Sequence, residues 1–137
     1  MSDQDYIKRA VQLSLMSPEP IGCGAGVVLV GEDGVLAEAY NSQHADNLAI
    51  YHAEIKALIE ASKKRNARKL EDVTAYCSCE PCAMCLTALS YAKIGRIVFH
   101  KRMIDIFPDD PQSRLDPYEF IKGLNFIPKL QQLIIKT

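Results

Sequence analysis

Apolar residues at Tyr6, Ile7, Ala10, Val11, Leu13 and Leu15 recur at helical spacing. An amphipathic helix is expected from Asp5 to Met16, with Ser2 or Asp3 near its cap, and Pro18 and Pro20 end it. Gly22, Gly24 and Gly26 then lead into Val27-Val28-Leu29-Val30, a continuous apolar run that reads as a buried strand. Glu32-Asp33-Gly34 is a hairpin turn signal, so the return strand Val35–Tyr40 should pair antiparallel with the first. Asn41 to Asn47 is a polar loop. From His52 the pattern turns helical, with Ile55, Ala57, Leu58, Ile59 and Ala61 on one face and Lys63-Lys64-Arg65 closing it. Val73–Ser78 reads as a strand, Cys82–Ala92 as a helix stopped by Gly95, and Ile97-Val98-Phe99 as a third buried strand. Strand, helix, strand with short links implies parallel pairing through a right-handed crossover. Residues 103 to 117 hold three prolines and four aspartates and read as a loop. A short helix is expected around Tyr118–Leu124 and a last strand over Leu130–Ile135.

Length and composition narrow the class. At 137 residues the chain is expected to be one domain, 1–137. A hydrophobic share of 48% and a charged share of 24% argue for a globular chain rather than disorder. No apolar run approaches a membrane span, and Met1-Ser2-Asp3-Gln4-Asp5 is the wrong chemistry for a signal peptide, so a cytoplasmic protein is expected. A net charge of −1 is poor footing for a general nucleic-acid binder. Five cysteines, an odd count with no secretory signal, favour metal or free thiols over a disulfide framework.

Three of those cysteines fall in Cys77-Ser78-Cys79-Glu80-Pro81-Cys82-Ala83-Met84-Cys85. Cys82 and Cys85, three apart on the first turn of a helix, can face one point, and the positive end of the helix favours thiolates there. Pro81 suits the entry to such a helix. His52, at the start of another helix, supplies a third zinc ligand, and a catalytic zinc site keeps its fourth position open. Glu54, on the same turn as His52, is placed to move protons beside the metal without ligating it. A lone C-x-x-C would be a weak signal, but H-x-E followed by P-C-x-x-C matches the zinc-deaminase signature.

The chain resembles the cytidine and deoxycytidylate deaminase superfamily through Tyr51-His52-Ala53-Glu54-Ile55 and Ser78-Cys79-Glu80-Pro81-Cys82-Ala83-Met84-Cys85. It is most similar to the branch holding tRNA adenosine deaminases and guanine deaminases, through the second motif and Ala92-Lys93-Ile94-Gly95-Arg96-Ile97-Val98-Phe99. The resemblance implies an α/β/α sandwich, cytidine deaminase-like, with a five-stranded mixed sheet of order 2-1-3-4-5. It implies one zinc per chain on His52, Cys82 and Cys85, with Glu54 as proton shuttle. It also implies substrate contacts from Asn41 and from the backbone around Ala53 and Cys82, and a homodimer. Against the tRNA enzymes, the chain ends soon after the last expected strand and lacks a further helix that frames the RNA.

Other residues carry competing readings. Cys77 and Cys79 share a strand face, so a four-cysteine structural zinc with Cys82 and Cys85 is the alternative to two buried small apolar side chains. That alternative leaves His52 and Glu54 without a purpose. His100, at the end of the third buried strand, is read as either pocket rim or structural filler. Phe107 is read as either a stacking platform for a base or, slightly ahead, a plug of the core or of a dimer contact. His44 reads as solvated, with the pocket edge as the alternative, and Asp105, Asp109 and Asp110 as solvated loop acids, with a hydrogen bond from one of them to an exocyclic amine as the alternative. The expected function is zinc-dependent hydrolytic deamination of a free nucleobase or nucleoside, purine ahead of pyrimidine. The alternatives are a tRNA adenosine deaminase and, from another class, a non-catalytic zinc-binding interaction protein.

Overall fold

The structure is a computed structural model and describes residues 1–136. Along the chain run α1 (Asp3–Met16), β1 (Gly26–Gly31), β2 (Gly34–Tyr40), α2 (Ala53–Arg65), β3 (Thr74–Cys79), α3 (Ala83–Tyr91), β4 (Arg96–Lys101), α4 (Met103–Ile106), a 3₁₀ turn (Pro111–Arg114), α5 (Pro117–Ile121) and β5 (Lys129–Gln132). The strands form one sheet in the order β2-β1-β3-β4-β5. β1 pairs antiparallel with β2 and β3, whereas β3, β4 and β5 run parallel. This is the mixed sheet implied by the resemblance.

Helices cover both faces. On one side Ile7, Ala10 and Leu13 of α1 pack on Val28, Tyr76 and Val98. On the other, Ala57 and Ala61 of α2, Leu86 and Leu89 of α3 and Ile121 of α5 pack on Val27, Leu29, Ala75, Ile97 and Phe99. The two sets alternate along β1, β3 and β4, as the two-residue period of a strand requires. Burial of both faces explains why β1 and β4 read as unbroken apolar runs.

Two local features set the frame. Ser2 Oγ accepts from the Asp5 amide while the Asp5 carboxylate accepts from the Ser2 amide, a reciprocal cap that starts α1. Gly24 and Gly26 let α1 lie against β1: a Cβ at either would strike a backbone carbonyl of α1, Ser14 or Ala10.

Several boundaries differ from the sequence expectation. The segment 103–117 is not all loop, because Met103–Ile106 and Pro111–Arg114 form short helical turns, the second capped by Asp110. α5 spans Pro117–Ile121 rather than Tyr118–Leu124, and β5 is shorter than Leu130–Ile135. Each element of this C-terminal part is too short to declare itself by periodicity. Asp110 and Asp116 accept backbone hydrogen bonds that start the turns, and Pro111 and Pro117 sit at their first positions. Among the described residues no helix is long and apolar enough to cross a membrane.

Candidate metal centre

α2 and α3 begin with residues that carry chemistry instead of caps. His52 is the N-cap of α2 and Cys82 the N-cap of α3. Both have extended backbones, and neither side chain bonds the orphan amides of its helix. A serine or aspartate at these positions would turn inward to cap. The ring of His52 and the thiol of Cys82 instead meet across the gap between the two helices. Cys85, one turn into α3, comes to the same point.

The distances test the fit to a metal. Cys82 Sγ lies 3.7 Å from His52 Nδ1 and Cys85 Sγ lies 3.6 Å from it. All three donor atoms fall within 4.8 Å of one another. A tetrahedral ion at roughly 2.3 Å from sulfur and roughly 2.0–2.1 Å from nitrogen holds N and S roughly 3.5–3.6 Å apart. The triad is therefore spaced for zinc, and its N and S donors are those zinc prefers. Cys77 and Cys79 stand outside this cluster. Cys77 is buried among Val27 and Phe99, and burial pushes its thiol well up. Burial likewise pushes Cys79 up to about 12, so neither offers a ready thiolate.

The protonation states follow from the same contacts. Hydrogen bonds from Cys85 and then His52 hold the Cys82 thiol down at about 4, against the pull of burial. Cys85 is pushed far up by donating to Cys82 and by burial. The bond to Cys82 raises His52. Glu54, on the first turn of α2, is only 6% exposed, and burial together with the nearby Cys82 thiolate raises it to about 7.

The triad opens into a cleft of about 360 Å³ at the C-terminal end of β3, where ligands of open α/β sheets gather. His52, Cys82 and Glu54 line it, as do Asn41 and Phe107. Asn41 is buried and its amide is spent on the neighbouring loop: Oδ1 accepts from the Ala25 amide and Nδ2 donates to the Cys23 carbonyl. Ala53 is fully buried in the core and does not line the cleft. His100 does not reach it either. Its Nδ1 accepts from the Ile135 amide and its carbonyl accepts from Gln132, so it ties down the chain after β5.

The cleft also holds Glu80 of the second motif and residues that the linear pattern did not single out: Glu19, Gln43, Met103 and Gln112. Glu19 lies between two prolines and reads only as punctuation, yet its side chain is wholly buried. It accepts from the backbone amide and Nδ1 of His44, the latter at 2.5 Å. Burial works to raise the Glu19 carboxyl, and the His44 bonds outweigh it, so the net direction is down. Glu80 is buried and accepts from Arg102 Nε at 2.6 Å, which ties the end of β4 to the turn before α3. Among the acids expected to be solvated, Asp110 lines the cleft, and His44 forms its rim with its side chain 77% exposed.

Residues 1–101 match the family described as the cytidine and deoxycytidylate deaminase zinc-binding region. The chain is 37% identical over 94 residues to a guanine deaminase of Bacillus subtilis, covering 68% of this chain and 60% of the relative. It is 32% identical over 97 residues to the tRNA-specific adenosine deaminase of the same organism, covering 71% and 60%. The chain thus spans about 60% of the length of the curated relatives it matches. The crystal structure of a guanine deaminase from B. subtilis aligns with a TM-score of 0.72 at 31% identity, over 82% of this chain and 73% of that one. A guanine deaminase from Nitrosomonas europaea shares the fold, with a TM-score of 0.78 at 18% identity over 98% and 78%.

Proposed function

The chain belongs to the cytidine and deoxycytidylate deaminase family, and from that premise we propose that it is a zinc-dependent hydrolase releasing ammonia from a nucleobase or nucleoside, purine ahead of pyrimidine. The observation that carries this is the meeting of His52 Nδ1, Cys82 Sγ and Cys85 Sγ beside the buried carboxyl of Glu54 in one cleft. His52, Cys82 and Cys85 would hold one zinc ion per chain. When bound, zinc supplies Lewis acidity, which makes a nucleophile available from water near neutral pH.

The chain's own residues supply the rest. Glu54, raised to about 7, is poised to take a proton from the attacking water and pass it to a ring nitrogen. It then takes the remaining proton of the added hydroxyl and delivers it to the departing amine, so that the C–N bond breaks as the ring carbonyl forms and ammonia leaves. The α3 N-terminus adds partial positive charge beside the two thiols. Asn41, at the cleft wall, holds the neighbouring loop in place through both ends of its amide and so fixes the shape of the substrate's site. Phe107 offers a ring at the cleft wall for stacking on a heterocycle. In the zinc-loaded protein, Glu54→Ala is expected to lower ammonia release by about 10²–10⁴-fold while zinc content stays at one per chain. Undiminished turnover in that variant sinks the mechanism. Zinc bound with no ammonia released from any base, nucleoside or RNA supports the non-catalytic alternative instead.

The similarity to tRNA-specific adenosine deaminase supports a second reading, adenosine deamination in tRNA. It requires tight, salt-sensitive binding of an anticodon stem-loop, and no binding at low salt removes it. The working form is proposed to be a homodimer. α3 is apolar nearly all round, and its outer residue Tyr91 is 76% exposed, a composition that calls for cover. A reducing cytoplasm is the compartment proposed, since it keeps Cys82 and Cys85 as free thiols.

A further inference from the structure

Asn41 at the cleft wall and His52 of the triad are the two ends of one loop, and a side chain outside the cleft closes that loop. Lys56, one turn into α2, places its Nζ 2.8 Å from Ser42 Oγ. Ser42 is buried and passes the link on, donating to Asp46 Oδ2 at 2.6 Å. The same ammonium lies over two rings, 4.9 Å from the centre of Tyr40 and 5.4 Å from that of Tyr51. Lys56 thus touches the residues on either side of Asn41 and the residue before His52. Among the described residues no carboxylate pairs with it directly. A half-buried ammonium is held instead by a hydroxyl and two ring faces, and shielding from water strengthens such cation–π contacts. The backbone closes at the same neck: the Ser42 amide donates to the Tyr51 carbonyl at 3.1 Å, and the His52 amide to the Ile50 carbonyl at 2.7 Å. His52 makes no cap bond with its side chain, so this neck and the thiols it faces set the direction of its ring. Tyr40, Ser42, Tyr51 and Lys56 themselves stay outside the cleft lining.

Resting on the zinc site of the deaminase reading, we propose that Lys56 is a positioning residue whose ammonium closes the neck of the 42–51 loop. It thereby holds His52 toward the metal and the rim residues Gln43 and His44 toward the substrate. A ligand already held in place binds a metal more tightly, because less freedom is lost when the ion arrives. The sign of the effect separates this role from simple electrostatics. A cation near the centre repels zinc, so by charge alone its removal tightens zinc binding. Loss of positioning weakens it. The chain from Lys56 through Ser42 to Asp46 also makes Lys56 and Ser42 one unit, so their substitutions should not add.

The test measures zinc affinity by competition with a chelator, amide hydrogen exchange, and ammonia release from guanine, adenosine and cytidine. The proteins are the wild type, Lys56→Met, Lys56→Arg, Ser42→Ala and the double variant Lys56→Met/Ser42→Ala. Lys56→Met keeps the stem and removes the ammonium. It should bind zinc about tenfold more weakly. In the metal-free protein its Ser42 and Tyr51 amides should exchange about tenfold faster, while those of α1 keep the wild-type rate. With zinc saturating, KM for whichever compound is turned over should rise several-fold and kcat stay nearly unchanged. Lys56→Arg keeps the charge and stacks on aromatic rings, so it should restore most of the zinc affinity. Ser42→Ala should weaken zinc in the same direction, and the double variant should be no worse than Lys56→Met. Ser42→Ala carries the test if Lys56→Met fails to fold. Zinc binding in Lys56→Met as tight as in the wild type or tighter overturns the inference, and so does a fall in overall stability with zinc affinity unchanged. Weakened zinc binding in the variant with no ammonia from the wild type supports the positioning role and removes the deaminase reading. Ammonia release with zinc affinity unchanged in the variant does the reverse, and a wild type that binds no zinc overturns both.

Discussion

At the scale of single residues, the centre is a set of opposed protonation preferences. Cys82 is held as a thiolate by its neighbours, whereas Cys85 and His52 are pushed toward their protonated forms by that same thiolate. A metal that binds all three must displace the protons of Cys85 and, in part, of His52. Zinc titrated into the metal-free protein at pH 7 should therefore release about one to two protons, seen as binding heats that vary with the ionisation heat of the buffer. Heats independent of buffer would contradict this arrangement. As pH falls through about 4, Cys82 also takes up a proton, and affinity should drop more steeply. His52→Ala should lose zinc and Cys77→Ala should keep it, and the opposite pair of results would restore the four-cysteine site. The residue types and their order already pointed to this triad. Glu19 and Gln43 were invisible, because a buried acid between prolines and a glutamine in a polar loop have no periodicity to betray them.

At the scale of elements, the site depends on two helix starts being aimed at one point. α2 and α3 each leave a strand or loop through an extended N-cap, and the Arg102–Glu80 pair ties the turn before α3 to the end of β4. On the far face, α1 presses on β1 through Gly24 and Gly26. Gly26→Ala forces a methyl onto the Ala10 carbonyl and the Leu13 side chain. It should cost about 1–3 kcal/mol, read as a lower urea midpoint with an unchanged slope. A variant as stable as the wild type would show that α1 can move away freely. The main helices and the first four strands were legible because each buries a continuous face. The turns at Met103–Ile106 and Pro111–Arg114 were not, since four residues cannot complete a period.

At the scale of the whole molecule, long-range ion pairs join distant parts of the chain. Asp3 bonds Arg96 at 2.6 Å and accepts from the Tyr76 hydroxyl, which fastens the start of α1 to β3 and β4. The Arg96 bond and then the Tyr76 bond hold the Asp3 carboxyl down at about 2, below its usual 3.8. A depressed acid contributes stability above its unfolded value and loses it as pH falls through the folded one. This clamp should therefore weaken between about pH 4 and pH 2. Asp3→Asn should lower the melting temperature at pH 7 and leave it less sensitive to acid across that window. The pair is partly exposed, so screening limits the effect to about 1 kcal/mol. An identical acid profile in wild type and variant would remove the clamp from the account.

Residue type and spacing alone determined the metal ligands to look for, the helix and strand order through β4, and the family resemblance. These are carried by local chemistry and by periodicity, which survive in one dimension. Tertiary structure alone decided which polar groups share the cleft with the triad. Glu19, Gln43 and Asp110 come from three loops far apart in the chain, and only the packing of the sheet against α2 and α3 brings them to one wall. It also decided that His100 faces the chain after β5 while Phe107 faces the cleft. Strand alternation sets the faces available to a side chain, but what waits on each face is fixed by elements that the local pattern cannot see.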